Sequence, residues 1–261
     1  MRVLSLGAGV QSSTLALMIE KGEVPMVDCA IFSDTQAEPD YVYDYLYKLK
    51  KLVSYPIHIV TAGDLGEDSL NDPFVKLPVY ILDLETGVVG FGRRQCTREY
   101  KITPIIKKIR ELAGLKKYQR IPVDFKVSML MGISRDEMQR ATENREKWIT
   151  NEYPLIFDKQ YNRGDCLAWI ERNGYTLPQR SACYFCPFQS NMEWRKMKEL
   201  QPVMFNNAVK FDEKIRHKMR DDRYQAYLHK ECRPLKDIDL DPNKDQMDMF
   251  NDICDEGMCG V

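Results

Sequence analysis

The chain has 261 residues, of which 44% are hydrophobic and 30% charged, with a formal net charge of −1. That length supports one α/β domain with an appendage, and the charge balance gives no global attraction to nucleic acid or to an anionic membrane. No apolar run approaches the roughly 20 residues needed to span a bilayer, and Met1–Gly7 enters a strand-like run without the layout of a secretory signal, so a cytoplasmic protein is expected.

In chain order, Val3 to Leu6 predicts a short buried strand that stops at a glycine turn. Ser12 to Lys21 reads as a helix with Leu15, Ala16, Met18 and Ile19 on its inner side. Val27 to Phe32 predicts a second strand, Tyr41 to Leu52 a helix and Ile57 to Val60 a third strand. Strands alternating with helices over short connections indicate βαβ units, so the expected fold class is α/β: a Rossmann-like open parallel sheet with helices on both faces.

Beyond Asp64 the pattern is less regular. Val79 to Leu82 and Val88 to Phe91 predict a hairpin around Glu85-Thr86-Gly87. Lys101 to Leu112 predicts a helix closed by Gly114, and Phe125 to Met131 a further buried strand leading into Gly132. From about Asp158 the style changes to a helix over Cys166 to Arg172, a cysteine-bearing loop, helices from Asn191 to Met219 and a polar tail. The reading is therefore an α/β domain over 1–157 and a helical, cysteine-rich region over 158–261.

The first turn, Gly7-Ala8-Gly9-Val10-Gln11-Ser12-Ser13, carries the chemistry. A strand, a Gly/Ser turn and a helix gather unpaired backbone N–H groups and a helix N-terminus around one small volume, which suits a phosphate or sulfate. The ending is not Gly-Lys-Ser/Thr and the spacing is not Gly-x-Gly-x-x-Gly, which excludes the Walker A loop and the dinucleotide fingerprint. The alternative is a tight turn with serine caps and no ligand.

This loop resembles that of the PP-loop superfamily, Ser-Gly-Gly-x-Asp-Ser, with Gly7, Ala8 and Gln11 in the places of its first serine, first glycine and aspartate. Asp34-Thr35-Gln36-Ala37-Glu38 looks like the Asp-Thr-Gly-x-Glu segment of phosphoadenosine phosphosulfate reductases. Cys96-Thr97 with Lys101 and Pro104 is similar to their Cys-Thr-x-x-x-Lys-x-x-Pro, and Gly132-Ile133-Ser134-Arg135-Asp136-Glu137 resembles their Gly-Ile-Arg-x-x-Glu. The resemblance covers roughly residues 3 to 145. It implies an adenine nucleotide, ATP or an adenylyl sulfate, on Gly7, Ala8, Gly9, Gln11, Ser12, Ser13, Asp34, Thr35 and Gly132, with magnesium as an accessory ion. Lys101 and Arg135 are then catalytic cations, with Arg98 and Arg140 as further charges for a polyanion.

Eight cysteines and only three histidines make any metal site thiolate-dominated. Cys183-Tyr184-Phe185-Cys186-Pro187 lets two thiolates reach one metal or cluster; a redox pair is the main rival, and inert packing the third reading. Cys96 and Cys166 are the further candidate ligands, with Cys254 or Cys259 as alternatives for the last position. Resemblance to cluster-bearing PP-loop enzymes favours a four-iron iron–sulfur cluster over zinc. Met258-Cys259-Gly260 is similar to the Glu-Cys-Gly segment that carries the reductases' nucleophile, which makes Cys259 the candidate catalytic thiol.

The expected function is a sulfur-transfer enzyme of the phosphoadenosine phosphosulfate reductase type, acting on an adenylyl-activated substrate. The alternative is ATP-dependent thiolation of a nucleic acid or small molecule, and a non-catalytic nucleic-acid module with a structural zinc is the reading from another class. Expected partners are the nucleotide, a thiol or sulfur donor protein and, in the thiolation form, a nucleic-acid acceptor. No membrane is expected, and a homo-oligomer is left open.

Overall fold

The computed structural model describes residues 1–241. Five parallel strands form the main sheet: β1 (Arg2–Leu6), β2 (Cys29–Asp34), β3 (Ile57–Thr61), β6 (Val127–Met131) and β7 (Ile149–Glu152), in the order β3-β2-β1-β6-β7. Their pairing places Val3 beside Cys29 and Met129, and Leu4 beside Ala30 and Leu130. Alternation along the strands then separates two cores, because successive side chains leave opposite faces. Leu4, Leu6, Ala30, Phe32 and Leu130 pack with α1 (Val10–Glu20), α2 (Asp40–Leu52) and α6 (Arg163–Arg172). Val3, Ile31, Val127, Met129 and Met131 pack with Ile105 and Ile109 of α4 (Thr103–Leu112) on the other face. The α/β fold with helices on both faces of a parallel sheet is thus observed, and it directs the carboxyl ends of β1, β2 and β6 toward one edge.

A second layer is built from a three-stranded antiparallel sheet in the order β5-β4-β8, with β4 (Tyr80–Asp83), β5 (Val89–Phe91) and β8 (Tyr224–Tyr227). The expected hairpin is there, and β8 adds a strand from beyond residue 157. A third core joins Val79, Tyr100, Cys183, Phe185, Cys186, Trp194, Phe205 and Phe211. It involves α3 (Leu65–Asn71), α7 (Asn191–Leu200) and α8 (Pro202–Ile215). The helices expected from Asn191 to Met219 are these last two, the second of which ends at Ile215. Pro202 has no amide to continue α7 and instead starts α8. Lys101 belongs to a π-helical turn, Thr97–Ile102, that precedes α4 rather than opening it. The short helix α5 (Pro154–Phe157) follows β7. No helix among the described residues is long and apolar enough to cross a membrane.

Candidate active site

The glycine turn connects β1 to α1 at the carboxyl edge of the sheet, where ligands of open α/β folds bind. Ala8 carries the left-handed backbone of the turn, with φ of 54°, while Gly9 is extended and stands just before the helix. No side chain caps α1. Ser12 and Ser13 lie inside the first turn rather than before it: the Ser12 hydroxyl accepts from the Gly7 amide (3.2 Å) and donates to the Gly9 carbonyl (3.3 Å). The opening amides of α1 are left to whatever occupies the space before them.

That space is a cleft of about 520 Å³. Gly7, Gly9, Gln11, Ser12 and Gly132 form its floor; Glu137, Arg140 and Arg163 stand at one side, and Arg180, Ser181, Ala182 and Lys196 face them. Gly132 presses directly on the loop: a Cβ there would lie 2.5 Å from the Ser12 Cα. Gly9 has open room toward Ser181, whose Cβ is 3.9 Å from the position a Gly9 Cβ would take. Ser13 is fully buried and does not line the cleft.

Gln11 ties the floor to the side wall. Its amide nitrogen reaches Ser134 Oγ (3.4 Å) and Glu137 Oε2 (3.3 Å), and its oxygen accepts from Arg163 Nη1 (3.4 Å). Glu137 pairs with Arg140 at 2.6 Å, yet burial outweighs that partner and pushes its carboxyl above the ordinary glutamate range. Asp136 accepts from the Ser134 hydroxyl and from the Arg163 amide, which anchors the start of α6 beside the loop. Across the cleft, Arg180 is ion-paired with Glu193 of α7. Tyr41 also lines the cleft as a neutral phenol, its hydroxyl pushed up to about 12 by burial and by the Glu38 charge.

A smaller apolar hollow of about 40 Å³ adjoins the cleft at Gly7 and is lined by Leu6, Phe32, Ser33, Glu38, Lys101 and Met131, among others. Lys101 faces the buried Glu38 carboxylate at 3.9 Å, and the Ser181 hydroxyl donates to that same carboxylate at 3.0 Å. The cysteine loop is docked on the segment after β2. Cys183 Sγ lies 3.2 Å from Thr35 Oγ1, and the Tyr184 amide donates to the Ala37 carbonyl at 3.0 Å.

The predicted site residues therefore divide. Gly7, Gly9, Gln11, Ser12 and Gly132 meet in the cleft, and Ala8 shapes their turn. Asp34 instead accepts from the Gln36 amide and the Tyr43 hydroxyl, and Thr35 is buried against Cys183. Arg135 is exposed and does not line the cleft, whereas Arg163, Arg180 and Lys196, which no short motif marked, do. Cys96, Cys183 and Cys186 share the third core, but Cys166 is sealed into the α1–α6 core with its thiol pushed up to about 12 by burial. The structure does not bring Cys166 to the others, and Cys254 and Cys259 lie outside the described residues. Among the described residues no group of three or more His, Cys, Asp or Glu is placed to hold a metal ion.

No family model matches the sequence. An uncharacterized protein of Methanocaldococcus jannaschii is 23% identical over 214 residues, 78% of this chain and 46% of that protein, so the chain spans about half the length of this relative. Among solved structures the chain is similar to a phosphate complex of phosphoadenylyl-sulfate (PAPS) reductase from Candida auris, at 14% identity and a TM-score of 0.42, covering 70% of this chain and 80% of that one.

Proposed function

We propose that this chain is a PP-loop enzyme that binds an adenine nucleotide and transfers sulfur, of the phosphoadenosine phosphosulfate reductase-like type. One observation carries the reading: the uncapped N-terminus of α1 opens into a cleft that also holds Arg140, Arg163, Arg180 and Lys196. A helix N-terminus with free amides and several cations is a site for a phosphate-bearing ligand.

With an adenylyl sulfate seated this way, a thiolate attacks the sulfur. A new S–S bond forms, the sulfur–oxygen bond to the phosphate breaks, and the electron pair leaves with AMP. The opening amides of α1 and the cleft cations stabilise the charge that grows on the leaving phosphate, because they are aimed before the reaction starts. Cys259 is the proposed nucleophile. Among the described residues no complete ligand set is placed for the iron–sulfur cluster or zinc expected from the cysteines and the resemblance, and Cys254 and Cys259 lie outside those residues.

Incubation with adenosine 5′-phosphosulfate or its 3′-phosphorylated form and a dithiol should release sulfite. Incubation with ATP and magnesium should release no pyrophosphate. Pyrophosphate without sulfite would replace reduction by ATP-dependent thiolation, and calorimetric silence toward every adenylate would sink the nucleotide reading.

A further inference from the structure

The charges around Gln11 point to how the ligand is held, an inference that rests on the nucleotide reading above. The two carboxylates that line the cleft are already engaged: Glu137 by Arg140, and Glu193 by Arg180. The loop itself offers no carboxylate: Gln11 is a neutral amide, a weaker ligand for a divalent cation than an acidic side chain. Arg163 differs from the other arginines. Its backbone amide is fixed on Asp136, its side chain rests on the Gln11 oxygen at 3.4 Å, and it forms no ion pair among the described residues. It therefore brings a net positive charge and spare N–H groups into the cleft beside the loop.

We infer that Arg163, steered by Gln11, takes a second anionic group of the ligand next to the one held by the α1 amides, and that this replaces a divalent cation. The ligand class is accordingly a nucleotide with two linked anionic groups, phosphate–phosphate or phosphate–sulfate, bound as the metal-free polyanion. A single phosphate fills only the loop. A guanidinium suits this task because it donates two parallel hydrogen bonds to a tetrahedral oxyanion, which a hydrated ammonium does less well.

The test is calorimetric titration of the full chain with AMP, ATP and adenosine 5′-phosphosulfate, each in EDTA and again with magnesium. ATP or the phosphosulfate should bind at least tenfold tighter than AMP in EDTA, and magnesium should not strengthen either. Arg163→Gln should remove that tenfold preference, weakening ATP and the phosphosulfate far more than AMP, while Arg163→Lys should keep part of it. A thermal melt establishes that the Gln variant is folded. Binding that requires magnesium, or a Gln variant that retains the preference or weakens all three ligands equally, overturns the inference. A folded wild-type chain that binds none of them overturns the nucleotide reading itself.

Discussion

At the scale of single residues, the two glycines of the floor do different work. Gly132 exists to be thin: the turn after β6 lies so close to α1 that a methyl group would sit 2.5 Å from the Ser12 Cα and 2.6 Å from its amide nitrogen, both backbone atoms. Gly9 has no such neighbour and an ordinary extended backbone, so a methyl group there meets only the Ser181 Cβ at 3.9 Å, an ordinary contact. Gly132→Ala should therefore lower stability by about 1–3 kcal/mol by driving the loop off β6. Gly9→Ala should fold with an almost unchanged melting temperature and lose nucleotide binding, because its methyl stands where a phosphate must touch the amides. Melting curves and titrations on both variants separate the two roles; equal behaviour of the pair would refute the division.

At the scale of elements, the cysteines show how far spacing can be read. Cys183 and Cys186 do sit together on one turn, with the Cys186 amide donating to the Cys183 carbonyl at 2.9 Å. Cys166, 17 residues before Cys183, is a candidate partner by sequence alone, but α6 presents it to α1, where it is fully buried among Leu15, Trp169 and Ile170. Burial also lifts Cys29 in β2 to about 11. Since the thiolate is the reactive form, raising the pH from 7 to 9 should leave Cys29 and Cys166 unalkylated by iodoacetamide in the folded chain, and unfolding should release both. Mass mapping that finds either one modified under native conditions would show that the α1–α6 or β2–α4 packing is wrong. The same elements explain what the sequence made legible. β1, β2 and β6 have buried runs, and β3 an apolar Ile-His-Ile-Val run, that announce themselves locally. β7 carries one buried apolar residue, Ile149, in Ile-Thr-Asn-Glu, and β8 is recognisable only by its pairing with β4, some 140 residues earlier. Likewise the glycine loop could be read as a motif, while Arg163, Arg180 and Lys196 reach the cleft only through the packing of α6, the cysteine loop and α7.

At the scale of the whole molecule, the cleft depends on a core that lies away from it. Its far wall is the cysteine loop and α7, and these rest on the third core together with β4, β8 and α8. Asp212 of α8 is the polar centre of that core. It is fully buried, accepts from the Leu228 amide at 2.9 Å and the Leu235 amide at 3.1 Å, and is ion-paired with Arg216. One carboxylate thus ties α8 to the end of β8 and to the 3-10 turn Leu235–Asp237. Asp212→Ala strands two buried amides and a guanidinium at once, so it should cost about 3–5 kcal/mol. Asp212→Asn keeps an acceptor and should lose less. Because Trp194 and Met197 of α7 belong to the same core, loosening it should also slacken the wall that carries Arg180 and Lys196. Nucleotide affinity should then fall in the Ala variant well below its melting temperature, although Asp212 touches no part of the cleft. A variant that loses stability and keeps full affinity would mean that the main sheet holds the ligand by itself, with the third core as a passenger.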